Sequence, residues 1–264
     1  MELTPELIVA LAAALLSVIS GLFSARASTK ARVFEYELER QRKKEDAAET
    51  AERILHQYRE PLVDAANTLQ GRLYNIMEKN FLGKFYTAET NQTQRDYARD
   101  YTVYAIAEYL TWVEILRREM RFQDLGDLKR NQDLMERLTS IQYAFQRDDI
   151  PDQFQVFRGR QRAIAEVMMV ATNAAEGPRS EAMGYASFIK KMNDDPEFAD
   201  WFAQLRADVD TVAAATPGGN VRLVHLQREL IDLMDFLDDK NMRVPAQFRK
   251  RMPEPVAIPT QPTA

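Results

Sequence analysis

At 264 residues the chain has room for one medium domain with appendages, or for two small domains. It is 45% hydrophobic and 28% charged, an ordinary globular composition, and its 35 basic against 40 acidic residues leave a formal charge of −5, which argues against a nucleic-acid partner. The absence of cysteine excludes disulfides, thiolate zinc sites, iron–sulfur clusters and cysteine nucleophiles, and two histidines leave little for a metal site, so no cofactor is implied.

From Leu7 to Ala25 run 19 residues without a charge, ten of them Leu, Ile, Val or Phe. At about 1.5 Å per residue they reach roughly 28 Å, close to the hydrocarbon thickness of about 30 Å. A single transmembrane helix is therefore expected. A cleaved signal peptide competes, with Ala25-Arg26-Ala27 as a possible cleavage site, but Glu2 and Glu6 stand where such a peptide carries basic residues. A buried core helix also competes, although few are apolar on every face for five turns. Arg26, Lys30, Arg32, Arg40, Arg42, Lys43 and Lys44 follow the segment, so the basic side should stay inside. The expectation is a single-pass cell-membrane protein with its amino terminus outside and its carboxy-terminal domain cytoplasmic.

Between Ser28 and Glu52 charges of both signs dominate, as in a solvated stalk. Ala47, Ala51, Ile54, Tyr58, Leu62, Ala65, Leu69, Leu73 and Ile76 then form one helical stripe. The stripe keeps phase across Pro61, which predicts either a kinked helix or two abutting helices. Thr90 to Gln94 reads as a loop and Tyr97 to Phe122 as a central helix, because both of its faces are apolar. Further helices are predicted around Leu134–Phe145, Ile164–Ala171, Trp201–Val212 and Leu223–Leu237, the second of these stopped by Gly177-Pro178. The tail from Pro245 is proline-rich and predicted to be disordered, with Pro259-Thr260-Gln261-Pro262 matching a proline-helix ligand.

Three constellations bear on chemistry. Glu108 falls on the helix face that carries Tyr101 and Tyr104, where a carboxylate needs a tyrosine hydroxyl or an arginine, with Arg59, Arg72 and Arg162 as candidates. A ligand pocket and a hydrogen-bonded core network both fit that arrangement. Arg158, Arg160 and Arg162 cross a helix start, where an anion could bind, although this spacing makes them diverge. Asp232, Asp235, Asp238 and Asp239 read as a solvated face, and no Glu-x-x-His partner suggests a metal. Phosphate-loop, dinucleotide, nucleophile-elbow and zinc-protease signatures are all missing, so no catalytic residue is assigned.

Tyr58-Arg59-Glu60-Pro61-Leu62, Leu69-Gln70-Gly71-Arg72-Leu73-Tyr74-Asn75-Ile76, Trp112-Val113-Glu114-Ile115-Leu116-Arg117-Arg118-Glu119 and Phe157-Arg158-Gly159-Arg160-Gln161-Arg162-Ala163-Ile164 resemble a family of uncharacterised, mostly bacterial helical proteins with a short apolar amino-terminal segment. The likeness covers roughly residues 50 to 240. It implies one helical domain and supplies no activity, cofactor or functional residue.

These readings predict an all-α protein, a helical bundle with one amino-terminal transmembrane helix. The divisions are an anchor over 1–25, a stalk over 26–52, a helical domain over 53–244 and a tail over 245–264. The leading expectation is a non-enzymatic interaction or scaffold module that meets the lipid bilayer and either a protein partner or another copy of itself. The alternative is a small-ligand or anion sensor, or an enzyme, with a pocket formed by Glu108, Tyr101, Tyr104, Arg158 and Arg162.

Overall fold

The structure is a computed structural model that describes residues 5–121, 129–150, 153–174, 177–215 and 219–254, without the side chains of 5–15, 18–29, 31, 33, 51–52, 121, 173–174 and 177–178. It divides into two units, residues 1–50 and residues 51–264. The division falls inside a helix, α1, that spans Pro5–Lys79 and continues through Pro61, so the chain there is one helix and not two abutting ones. In the first unit Leu16, Phe34 and Tyr36 are exposed. Among the described residues no helix is long and apolar enough to cross a membrane; most side chains of 7–25, on which the expected span rests, lie outside those described.

The second unit is mostly helical. The expected stripe of α1 is its first core element, with Tyr58, Leu62, Leu69 and Leu73 buried because they repeat every three or four residues along one face. Asn80 takes the left-handed conformation after α1, and its side chain folds over α2 (Phe81–Phe85). A Cβ on Gly83 would come within 2.2 Å of the Asn80 amide oxygen, so a larger residue there would have to displace the Asn80 side chain. Helix α3 (Gln92–Arg121) starts where Asn91 Oδ1 accepts the Gln94 N–H at 2.9 Å. It is central as expected, with Val103 and Ile106 buried on one side and Tyr104 and Ile115 on the other.

Helix α4 (Lys129–Gln146) buries Leu134, Leu138, Ile141 and Phe145. After it the Phe154 N–H donates to Asp208 Oδ2 at 3.0 Å, which holds Phe154 at a positive φ of 66°. Helix α5 (Arg158–Met168) ends three residues earlier than the sequence suggests. Ala171 is not helical: Met169–Ala174 (β1) pairs antiparallel with Gly177–Ala182 (β2), Met169 opposite Ala182 and Ala174 opposite Gly177. Val170 and Thr172 favour the extended state, and the hairpin packs against α3, a tertiary gain that helical periodicity does not report. The fold thus remains predominantly helical, with one small sheet among the described residues.

Two helices that periodicity did not reveal follow, α6 (Tyr185–Asp194) and α7 (Pro196–Asp200). The second has a local signature, since Asp195 accepts the Phe198 N–H and Pro196 stands at the first position. Helix α8 (Ala203–Ala214) and helix α9 (Val221–Leu237) complete the set, α8 against α3 and α9 against α4. Asn220 caps α9 by accepting the Leu223 N–H at 2.9 Å.

Two further expectations are corrected here. Residues 245–254 are not a disordered tail: Met252 is buried, Gln227 Nε2 donates to the Lys250 carbonyl at 2.8 Å, and the Met252 N–H donates to Gln227 Oε1 at 3.0 Å. Residues 255–264, including the Pro259–Pro262 motif, lie outside the described residues. Nor is the aspartate ladder of α9 simply solvated. Arg251 pairs with Asp232 and Asp235, and Arg249 with Asp235 and Asp238, so the ladder is the rail that this terminal segment grips.

Candidate functional site

Three helices place polar side chains around one notch. On α3 the residues Tyr109, Leu110, Val113, Glu114 and Arg117 recur at steps of one, three, one and three, which puts them on a single face. Helix α4 contributes Leu138, Ile141, Gln142 and Phe145, and α5 contributes Arg158, Gln161 and Arg162. Gln161 fixes the angle between α4 and α5 by donating from Nε2 to the carbonyls of Gln142 at 3.1 Å and Val156 at 2.7 Å. The floor is aliphatic and aromatic, and the mouth is cationic.

Glu114 is the centre of the mouth. It is 3% exposed, and Arg117 Nε donates to it at 2.6 Å and Arg118 Nε at 2.9 Å, with Arg162 Nε at 3.7 Å. Burial pushes its carboxyl up, but the hydrogen bonds from Arg117 and Arg118 and the charge of Arg162 outweigh that and hold it below the ordinary value. Glu114 is therefore ionised at neutral pH and too weak a base for proton transfer there. Arg118 also meets Glu166 at 2.6 Å. Arg158 is exposed, and among the described residues no hydrogen bond or ion pair engages it. The rim thus carries more guanidinium than carboxylate, an arrangement suited to recognising an anion.

The floor holds a second unusual group. Tyr109 is 1% exposed and its hydroxyl is buried without a hydrogen-bond partner among the described residues. Burial, and next the charge of Glu229, keep that phenol protonated. The free space in the notch is about 40 Å³. A buried water needs roughly 10–15 Å³, so the notch takes a few waters or the end of a side chain and not a drug-sized molecule.

The pocket expected around Glu108 forms differently. Glu108 is half-buried, and Tyr104 Oη donates to it at 3.1 Å. Burial is the main reason its carboxyl is raised, and Asp64 adds to it. None of the three candidate arginines meets Glu108: Arg59 lies 4.0 Å from Asp239, Arg72 donates to Tyr97 Oη, and Arg162 faces Glu114. Tyr101 and Tyr104 join Tyr185 and Phe188 in an aromatic cluster with centroids 5.1–5.8 Å apart. Six residues separate Glu108 from Glu114, about 120° around a helix, so α5 can dock on only one of them.

Arg158 and Arg162 do come together at the notch, whereas Arg160 turns away to donate to the carbonyls of Asp200 and Trp201. Glu114 and Tyr109 were missed by sequence reasoning. The available signal for Glu114 was its spacing of three and four from Arg117 and Arg118. Nothing in the sequence marks the Tyr109 hydroxyl as unpartnered. In comparisons with protein-family models, with curated protein sequences and with solved structures, nothing matches the chain.

Proposed function

We propose that the chain is a membrane-tethered helical interaction module without catalytic activity of its own, its segment 7–25 lodged in the bilayer with the amino terminus outside and its helical unit in the cytoplasm. The uncharged run from Leu7 to Ala25, acidic before and basic after, carries this reading. The notch at Glu114 is the point of attachment for a protein partner. Its free Arg158 and its small volume suit the carboxylate of an Asp or Glu presented by that partner's surface.

Alkaline carbonate extraction of membranes, with a fluorescent reporter on the carboxy terminus, tests the tether. Retention in the pellet with a fluorescent reporter is expected, and release into the wash overturns it. For the partner, cross-linking in intact cells should capture a defined protein that the double variant Arg158→Ser/Arg162→Ser fails to capture. An unchanged cross-linking pattern in that variant removes the notch from the proposal.

A further inference from the structure

A second concavity, independent of the notch, lies between α1, the start of α3 and the terminal segment 245–254, and its free volume is about 650 Å³. That is the size of a small-molecule site. Its lining includes Arg72 and Lys250 and no carboxylate at all, although the whole chain is acidic.

Arg72 is the unusual residue. It is 7% exposed, and its guanidinium carbon stands 4.3 Å from the ring centroid of Phe81, 4.9 Å from that of Tyr101 and 5.2 Å from that of Tyr97. Nη2 donates to Tyr97 Oη at 3.2 Å, and Nη1 is buried with no hydrogen-bond partner among the described residues. A buried guanidinium ordinarily rests on a carboxylate. Here three aromatic faces supply only part of the compensation, through their quadrupoles. The missing component is an anion. Tyr97 is 44% exposed, stacks on Tyr101 with centroids 5.1 Å apart and meets Nη2 through one hydrogen bond at 3.2 Å, a position that an anionic oxygen takes if the Tyr97 hydroxyl gives way.

The other wall points to the rest of the ligand. Phe248 is 58% exposed and lines the groove together with Gln247 and Lys250, whose ammonium stands 6.0 Å from the ring centroid of Tyr74, another lining residue. We infer that this groove binds a small anionic ligand with a planar ring, its anionic group between Arg72 and Lys250 and its ring against Phe248. The terminal segment is then one wall of a binding site, which gives it a purpose beyond covering the core.

Titration calorimetry on the full chain in a mild detergent, with adenosine monophosphate as the probe and inorganic phosphate and adenosine as its two halves, tests this. The nucleotide should bind at submillimolar concentration, at least tenfold tighter than either half, and should weaken as salt is raised. Lys250→Gln and Phe248→Ala, both at exposed positions, should each weaken it fivefold or more, and Arg72→Gln should abolish it. If Arg72→Gln does not fold, the two exposed variants decide. No heat with millimolar nucleotide, equal affinity for phosphate and nucleotide, or unchanged affinity in both exposed variants overturns the proposal.

Discussion

Arg249 closes on Asp238 in the interior of the domain, their side chains 5% and 4% exposed, and the same carboxylate accepts the backbone N–H groups of Met242, Arg243 and Val244. One buried aspartate therefore turns the chain at the end of α9 and also fastens the terminal segment.

Replacing Asp238 by Asn should cost about 3–5 kcal/mol, the range for breaking one side of a buried pair. Burial alone would raise this carboxyl, but the N–H groups of Val244, Arg243 and Met242, with the charge of Arg249, hold it below its ordinary 3.8. A depressed native pKa contributes stability that is fully present above the ordinary 3.8 of the unfolded chain and is lost as pH falls through the lower native value. Urea unfolding at stepped pH should show a large gap between parent and variant at pH 7 that narrows below pH 3.8. A gap independent of pH would disprove the assignment.

Arg222 is fully buried and spans the carboxy end of α4, donating to the carbonyls of Ala144, Phe145, Arg147 and Ile150. These carbonyls include ones that the last turn of a helix cannot satisfy itself. Arg222→Met should destabilise by at least about 2 kcal/mol, since the Ala144 and Ile150 carbonyls lose their side-chain donor at about 1–3 kcal/mol each, while Phe145 still accepts from the Val156 N–H and Arg147 from Gln155 Nε2. Arg222→Lys should recover little of it, because a point ammonium cannot reach four carbonyls arrayed for a planar fork. Hydrogen exchange should quicken first in 141–150; uniform acceleration across the domain would contradict the local role.

Tyr109→Phe removes a hydroxyl that is buried without a partner. Such a change should be neutral or stabilise by up to about 1 kcal/mol, in contrast to the usual loss on trimming a core side chain. A fall in melting temperature of several degrees would show that the hydroxyl has a partner after all.

Glu108→Gln should stabilise at neutral pH. The native carboxyl is raised, chiefly by burial, so the folded state favours the protonated form, and the ionised form costs stability as pH rises through the native pKa. Below the ordinary 4.5 both side chains are neutral and the difference should vanish. A variant less stable than the parent at pH 7 would indicate that the Tyr104 hydrogen bond outweighs burial.

Much of this molecule is local in origin. The spacing of Leu62, Leu69 and Leu73, the two apolar faces of α3 and the Leu223–Leu237 stripe specify helices and their buried sides through side-chain periodicity alone. The uncharged run at 7–25 is equally plain in the sequence. The hairpin after Met168 was not legible, because Val170 and Thr172 become a strand only when β2 and α3 receive them.

The amino-acid order by itself determined the long helices, the core stripes and the candidate arginines, since each depends on neighbours a few positions away. Only the tertiary structure decided that Arg162 meets Glu114 and not Glu108, that Arg249 and Arg251 occupy the aspartates of α9, and that Arg72 lies among three rings without a carboxylate. Charge pairing falls off steeply with distance through space and is indifferent to distance along the chain, so it is settled by how helices dock.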